Sequence, residues 1–80
     1  MQVTVLLFGI IADLIGESTI KAQLVEQNTV GDFKKTLIEI YPQLKNHSSY
    51  AVAINETYAF EDAIINPDDI IAIIPPVSGG

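Results

Sequence analysis

Two apolar runs near opposite ends of the chain limit the folds that its 80 residues can adopt. The first run, QVTVLLF, alternates Val3, Val5 and Leu7 with other side chains and is followed by Gly9, which is typical of a buried β-strand. The second run, IIAIIP, begins at Ile70 and is continuously apolar, which predicts a strand buried on both faces. We therefore expect the two terminal strands to lie side by side in the middle of one sheet.

The clearest helix signal lies between these two strands. Asn28 or Thr29 is suited to cap the first turn, Asp32 favours the helix dipole there, and Pro42 ends the helix. Its apolar residues recur at helical spacing and are Val30, Phe33, Leu37, Ile40 and Tyr41. We interpret this stripe as a core face that packs on the sheet, in preference to a ligand groove.

Three weaker patterns complete the predicted fold. IIADLIG predicts one or two helical turns closed by Gly16, and STIKAQLVE predicts a second strand that pairs with the first. YAVAIN and ETYAF predict a hairpin that turns near Asn55 and Glu56. The order β-β-α-β-β-β predicts an α+β fold, a mixed sheet with one main helix packed on one face, which is the β-grasp or ubiquitin-like arrangement. We expect this domain over residues 1–74 and a flexible C-terminal tail over residues 75–80.

The composition disfavours several classes of function. Ten acidic residues oppose four basic ones, and the net charge of −6 disfavours nucleic acid and anionic membranes and favours a partner with a basic surface. The absence of cysteine excludes disulfides, thiolate metal sites and a cysteine nucleophile. The apolar N-terminal run has no basic flank and no cleavage site and is too short to span a bilayer, so we expect a cytoplasmic protein.

Side chains suited to catalysis are sparse. No glycine-rich loop joins a strand to a helix, so we expect no nucleotide-phosphate site. His47 lies in a polar segment and is interpreted as a surface residue. The acidic pairs Glu61-Asp62 and Asp68-Asp69 supply too few oxygen ligands for a hard cation, and we expect neither a metal site nor a bound cofactor.

The C-terminal tail carries the arrangement that is best suited to chemistry. Pro75 and Pro76 donate no backbone hydrogen bond and restrict φ, so they end the last strand and extend the following residues away from the sheet. Gly79 and Gly80 have no side chains, so the terminal carbonyl carbon is able to enter a narrow active site. A rigid domain with an extended spacer lowers the entropic cost of ordering the tail when it enters a partner. A disordered terminus is the alternative.

Several of these segments resemble a known family. The strand ending in FG, the ADLIG segment, the VAIN strand, the PDD turn and the terminal IIPPVSGG are similar to the small subunits of molybdopterin synthase in the MoaD/ThiS family of sulfur carriers. The resemblance covers the whole chain and is most specific in PPVSGG. It implies a β-grasp fold, no enzymatic activity of the chain by itself, and a complex of two small and two large subunits.

The resemblance also implies a chemistry for the tail. An E1-like enzyme uses ATP to form an acyl-adenylate at the carboxylate of Gly80, and this carboxylate then becomes a thiocarboxylate. Gly79, which also has no side chain, precedes the reacting residue. The large subunit takes the tail into its active site, where the sulfur passes to cyclic pyranopterin monophosphate and builds the dithiolene of molybdopterin. The residues predicted to bind partners are Pro75, Pro76, Val77, Ser78, Phe8, Tyr58 and Ile74.

Alternatives remain at two levels. For Phe8, Tyr58 and Ile74, alternation along short strands leaves core packing and a surface role equally open. For the whole chain, the alternatives are a ThiS-like carrier for the thiazole of thiamin, a ubiquitin-like modifier joined through Gly80 to lysines, and a plain interaction module. Ala12 stands where the family commonly has an arginine, so a salt bridge from that arginine is not expected here.

Overall fold

The structure is a computed structural model and describes residues 1–47 and 49–76. The strands are β1 (Gln2–Leu7), β2 (Thr19–Gln23), β3 (Ala51–Ile54), β4 (Thr57–Tyr58) and β5 (Ile70–Ile74). The helices are α1 (Gly9–Ile15) and α2 (Val30–Ile40), and a 3₁₀ turn covers Pro42–Leu44. The described residues form one mixed sheet with the spatial order β2-β1-β5-β3-β4.

The two terminal strands form the centre of the sheet, which confirms the prediction from the apolar runs. β1 and β5 run parallel, with Val5 opposite Ile71. β2 pairs with the other edge of β1, and β3 pairs with the other edge of β5, both in the antiparallel direction. Because β5 has a paired strand on each side, its backbone is hydrogen-bonded on both edges and its end is held firmly.

α2 begins and ends where the sequence predicted. Thr29 is the cap, because its Oγ1 accepts a hydrogen bond from the backbone N–H of Asp32 at 3.2 Å. In return the Asp32 Oδ2 atom accepts from the backbone N–H of Thr29 at 3.3 Å, which completes a capping box. These hydrogen bonds lower the pKa of the Asp32 carboxyl below its ordinary value. The helix ends at Ile40, just before Pro42.

Replacing Thr29 with alanine is expected to lower the free energy of unfolding by about 1 kcal/mol, since one of the two capping hydrogen bonds is lost. For a domain of this size the melting temperature should fall by roughly 4–8 °C. Urea unfolding at neutral pH measures the change, and Thr29→Ser, which keeps the hydroxyl, is the matched control. Equal stability of the alanine and serine variants would show that the cap contributes nothing.

The core lies between α2 and one face of the sheet. The α2 side chains Val30, Phe33 and Leu37 are buried, as predicted, and pack in one apolar cluster with residues from both central strands. The strand residues of this cluster are Val3, Val5, Leu7, Ala22, Val52, Ile71 and Ile73. α2 therefore covers one face of the sheet and leaves the other face to the surface.

Two predictions about burial are wrong. β5 is buried on one face only, because α2 covers the side that carries Ile71 and Ile73, whereas Ile70 is exposed and Ile74 is half-buried. Ile40, predicted in the core stripe, is 54% exposed, because it lies at the C-terminal end of α2, where the chain turns away. A continuously apolar strand therefore has one face at the surface of this protein.

α1 confirms the predicted short helix. Gly16 closes it in the left-handed region at φ 85°, and its N–H donates to the carbonyl oxygen of Ala12 at 2.8 Å. Ala12 lies within α1. Over residues 1–47 and 49–76, no helix combines the length and the apolar character needed to cross a membrane.

Candidate functional site

The predicted tail begins at the end of the central strand β5. This strand is paired with β3 as far as Ile74, and Ile73 before it is fully buried. Pro75 is half-buried and Pro76 is exposed, so the chain leaves the core within these residues. The remaining predicted site residues lie outside the described residues, and their roles stay predictions; they are Val77, Ser78, Gly79 and Gly80.

An apolar depression lies on the sheet face that α2 leaves uncovered. One row of paired residues crosses four strands of this face: Leu6 in β1, Ala72 in β5, Ala53 in β3 and Tyr58 in β4. The two alanines occupy the middle of the row and the two larger side chains its ends, so the surface is concave. The depression has a volume of about 380 Å³.

The three residues predicted for a docking surface all line this depression. Phe8 is 48% exposed, Tyr58 is 70% exposed and Ile74 is half-buried. The structure thus resolves the alternatives of core and surface in favour of the surface, and it brings the three side chains to one place although they come from three separate segments. That they bind a partner stays a prediction.

The rest of the lining was not predicted from the sequence and consists of Leu6, Ala53, Asn55, Glu56, Ile70 and Ala72. The alternation of side chains along the strands did indicate which of these residues share a face. Leu6 and Phe8 lie on one side of β1 and its extension. On β5 the residues that share one side are Ile70, Ala72 and Ile74. The register that brings these two sets together depends on the pairing of strands from opposite ends of the chain.

A hydrogen-bond network holds one wall of the depression. Asn55 and Glu56 form the predicted hairpin turn with φ of 50° and 73°, the left-handed conformation that a tight two-residue hairpin requires. Asn55 Oδ1 accepts from the backbone N–H of Ile70, and Asn55 Nδ2 donates to Asp69 Oδ1, both at 2.9 Å. Asp69 Oδ2 accepts from the N–H of Asn66 at 2.8 Å. The turn is thereby tied to the start of β5, so this wall is preorganised.

Two of the acidic residues considered in the sequence, Glu61 and Asp69, have local structural roles. Glu61 Oε1 accepts from Lys34 Nζ at 3.2 Å, and Asp69 belongs to the network of the hairpin turn. His47 is exposed, as predicted. Within the described residues, no group of three or more His, Cys, Asp or Glu side chains is arranged to hold a metal ion.

Tyr50 is a buried titratable residue outside the depression. Burial raises the pKa of its phenol to about 12, so the group is protonated at neutral pH. Its hydroxyl oxygen has no hydrogen-bond partner within the part of the chain that the structure describes. Lys34 Nζ lies 5.4 Å from the centre of the ring, within range of a cation–π contact. We assign Tyr50 to the core.

Solved structures define the class of fold. The chain superposes on the crystal structure of SAMP1 from Haloferax volcanii with a TM-score of 0.85 at 26% sequence identity, over 100% of both chains. A chain in the protein-protein complex of subunits 1 and 2 of the molybdopterin-converting factor from Helicobacter pylori matches with a TM-score of 0.68 at 24% identity, again over 100% of both. The fold is the β-grasp or ubiquitin-like fold, as predicted.

Sequence relatives define the family. The sequence profile of the ThiS family matches residues 5–80. A molybdopterin synthase sulfur carrier subunit from Dictyostelium discoideum is 37% identical, over 99% of this chain and 96% of its own length. The subunit of the same name from Arabidopsis thaliana is 32% identical, over 100% of this chain and 84% of its own length. The chain belongs to the ThiS family, which confirms the resemblance noted in the sequence.

Proposed function

We propose that this chain is the sulfur carrier subunit of a molybdopterin synthase and that it works in the cytoplasm. Gly80 carries sulfur as a thiocarboxylate and donates it to cyclic pyranopterin monophosphate. The observation that carries this proposal is the full-length similarity to relatives that bear this name. The geometry supports it, since the tail begins at a central strand, beside an exposed apolar depression that is suited to docking.

Activation of the tail is the first chemical requirement, because a carboxylate is a poor electrophile at neutral pH. An E1-like enzyme joins one carboxylate oxygen of Gly80 to the α-phosphorus of ATP and releases pyrophosphate. A sulfur nucleophile at the oxidation level of sulfide then attacks the carbonyl carbon, and AMP leaves with the electron pair of the broken C–O bond. The sulfur resides on the main chain, so the carrier needs no cysteine, and the sequence has none.

Transfer takes place in the large subunit. The thiocarboxylate sulfur attacks an oxygen-bearing carbon of the pterin precursor and forms a new C–S bond, while the C–O bond at that carbon breaks and the oxygen leaves with its electron pair. Water then attacks the carbonyl carbon of Gly80, the bond from that carbon to sulfur breaks, and the sulfur keeps the electron pair. Gly80 returns to a carboxylate, ready for another round. The chain is therefore not an enzyme by itself. Each dithiolene contains two sulfur atoms and needs two such transfers, in keeping with a complex of two small and two large subunits.

The depression is the surface on which the partners dock. Phe8 and Tyr58 offer exposed aromatic area at its edge, and such side chains are enriched at the centres of interfaces. Ile74 joins this surface to the tail, so a partner that covers the depression also receives the tail. With a net charge of −6, the chain favours partners whose contacting surface is basic around an apolar centre.

A modifier function is the second candidate, and one observation favours it: the SAMP1 protein on which the chain superposes is called a small archaeal modifier protein. In that case Gly80 would be joined to lysines of other proteins. A carrier for thiamin thiazole synthesis would use the same tail chemistry with a different acceptor.

The intact mass of the full chain, after reaction with its activating enzyme, ATP and a sulfide donor, tests the proposal. We expect the C-terminal peptide to gain the mass difference between sulfur and oxygen on Gly80, and the reaction without ATP is the control. Adding the large subunit and cyclic pyranopterin monophosphate should then return the carboxylate and yield molybdopterin. A terminus that stays a plain carboxylate, or Gly80 found only in isopeptide linkage, would contradict the proposal.

A further inference from the structure

Gly9 and Pro75 lie opposite each other where two neighbouring strands leave the sheet. β1 and β5 run parallel, and the last pair in their register is Leu7 with Ile73. Gly9 and Pro75 each lie two positions beyond this last pair, so the start of α1 lies beside the start of the tail. Parallel strands end at the same edge of a sheet, which is why residues so distant in sequence meet here.

The contact between them leaves no space for a side chain on Gly9. A Cβ atom added to Gly9 would lie 2.9 Å from the Cγ atom of Pro75, a distance that Cβ atoms essentially never show. The atom in the way belongs to a ring that is bonded to the backbone at both of its ends, so it cannot rotate aside as the end of a flexible side chain can. To make room for a Cβ, the Pro75 ring must change its pucker or the backbone at Gly9 or Pro75 must shift.

The backbone conformation of Gly9 adds a second constraint. Its φ is +57°, in the left-handed region that residues other than glycine rarely adopt. Gly16, the residue that caps the other end of α1, provides a matched comparison. Its φ is +85°, but no atom lies within 4 Å of the Cβ that would be added there. Both glycines thus have a backbone conformation that would be strained for alanine, and only Gly9 also contacts the start of the tail.

We infer that Gly9 is a positioning residue, which sets the direction in which the C-terminal tail leaves the domain by letting the Pro75 ring pack directly on the backbone. This inference rests on the proposed function, in which the tail must enter the active site of a partner. A displacement of about 1 Å at a reacting group is able to cost about 100-fold in rate. A shift at Pro75 changes the direction in which the proline pair Pro75-Pro76 leaves the sheet, and therefore the point from which the tail starts.

The test compares Gly9→Ala with Gly16→Ala in the full chain. Each protein is first converted to the thiocarboxylate, and the rate of its loss is then measured with saturating large subunit and cyclic pyranopterin monophosphate. We expect Gly9→Ala to slow transfer at least about tenfold and Gly16→Ala to stay within about twofold of the unchanged chain. Gly9→Asn is the second variant, because asparagine tolerates the left-handed region better yet still places a Cβ against Pro75.

Removing the obstructing ring distinguishes a contact from general strain. In a Pro75→Ala background the Cγ atom is absent, so Gly9→Ala should cost much less in transfer rate than it does in the unchanged chain. Equal losses in the two backgrounds, or an equal loss from Gly16→Ala, would overturn the inference. So would full activity of both Gly9→Asn and Gly9→Ala.

A readout that does not depend on sulfur keeps the two proposals separate. The NMR shifts of Ile74 and Pro76 in the isolated proteins should change in Gly9→Ala and Gly9→Asn and stay unchanged in Gly16→Ala. If the unchanged chain transfers no sulfur, the proposed function fails while the shifts still decide whether Gly9 positions the tail. Unperturbed shifts in both Gly9 variants would overturn the inference even where the unchanged chain is active.

Discussion

Removing Gly80, or adding one residue after it, is expected to abolish sulfur transfer while the fold stays intact. The proposed reaction takes place at the terminal carbonyl carbon. Deletion of Gly80 moves that carbon back by one residue, and extension converts the Gly80 carboxylate into an internal peptide carbonyl. The structure supports an intact fold, because the buried core is complete at Ile73 and the tail begins at Pro75. Transfer in both variants should fall to the level of a reaction without carrier.

The measurement combines the mass of the C-terminal peptide with the yield of molybdopterin. Thermal unfolding is followed in parallel, and the melting temperatures of the two tail variants should match that of the unchanged chain. Glu39→Gln, an exposed residue of α2, is the matched control and should transfer sulfur normally. An extended chain that still made molybdopterin would contradict the assignment of the reaction to the terminal carboxylate of Gly80.

Replacing Phe33 with alanine is expected to remove a large share of the stability of the domain. Phe33 is 1% exposed and lies at the centre of the α2 face that packs on the sheet. Truncating a buried phenylalanine costs about 3–5 kcal/mol, through lost transfer free energy and the cavity left behind. Small domains have a net stability of about 0.05–0.15 kcal/mol per residue, which is about 4–12 kcal/mol for 80 residues, so this loss is a large share of the total.

Urea unfolding of Phe33→Ala measures the loss, with Phe60→Ala as the matched control. Phe60 is 84% exposed, so the same truncation there should change the free energy of unfolding by no more than about 0.5 kcal/mol. Similar losses in the two variants would mean that the apolar stripe of α2 is not the main support of the fold.

Local signals explain why α2 was predicted well. Thr29 and Asp32 form the capping box, Phe33 and its neighbours at helical spacing form the buried face, and Pro42 follows the end of the helix. Each of these signals acts within a few residues of its own position. The α1 helix, closed by Gly16 in a left-handed conformation, was predicted for the same reason.

The burial of β5 was predicted less well, because a continuous apolar run has two possible explanations. Ile71 and Ile73 are buried in the core, while Ile70 and Ile74 line the depression at the surface. Apolar side chains are favoured in both places, in one by the core and in the other by a predicted partner. Hydropathy therefore does not distinguish an interior face from an interface.

The sequence by itself determined the helices and strands and supplied the prediction of chemistry at Gly80, because these depend on local residue patterns and on the motif of the tail. It also indicated that the two terminal strands lie together, because both are apolar enough for the middle of a sheet. The tertiary structure alone decided that Phe8, Tyr58 and Ile74 surround one depression and that Gly9 packs on Pro75. Alternation along a strand states which residues share a face, but strand register and helix placement decide which face is covered. Both arise from contacts between opposite ends of the chain, so the site becomes visible only when the chain is folded.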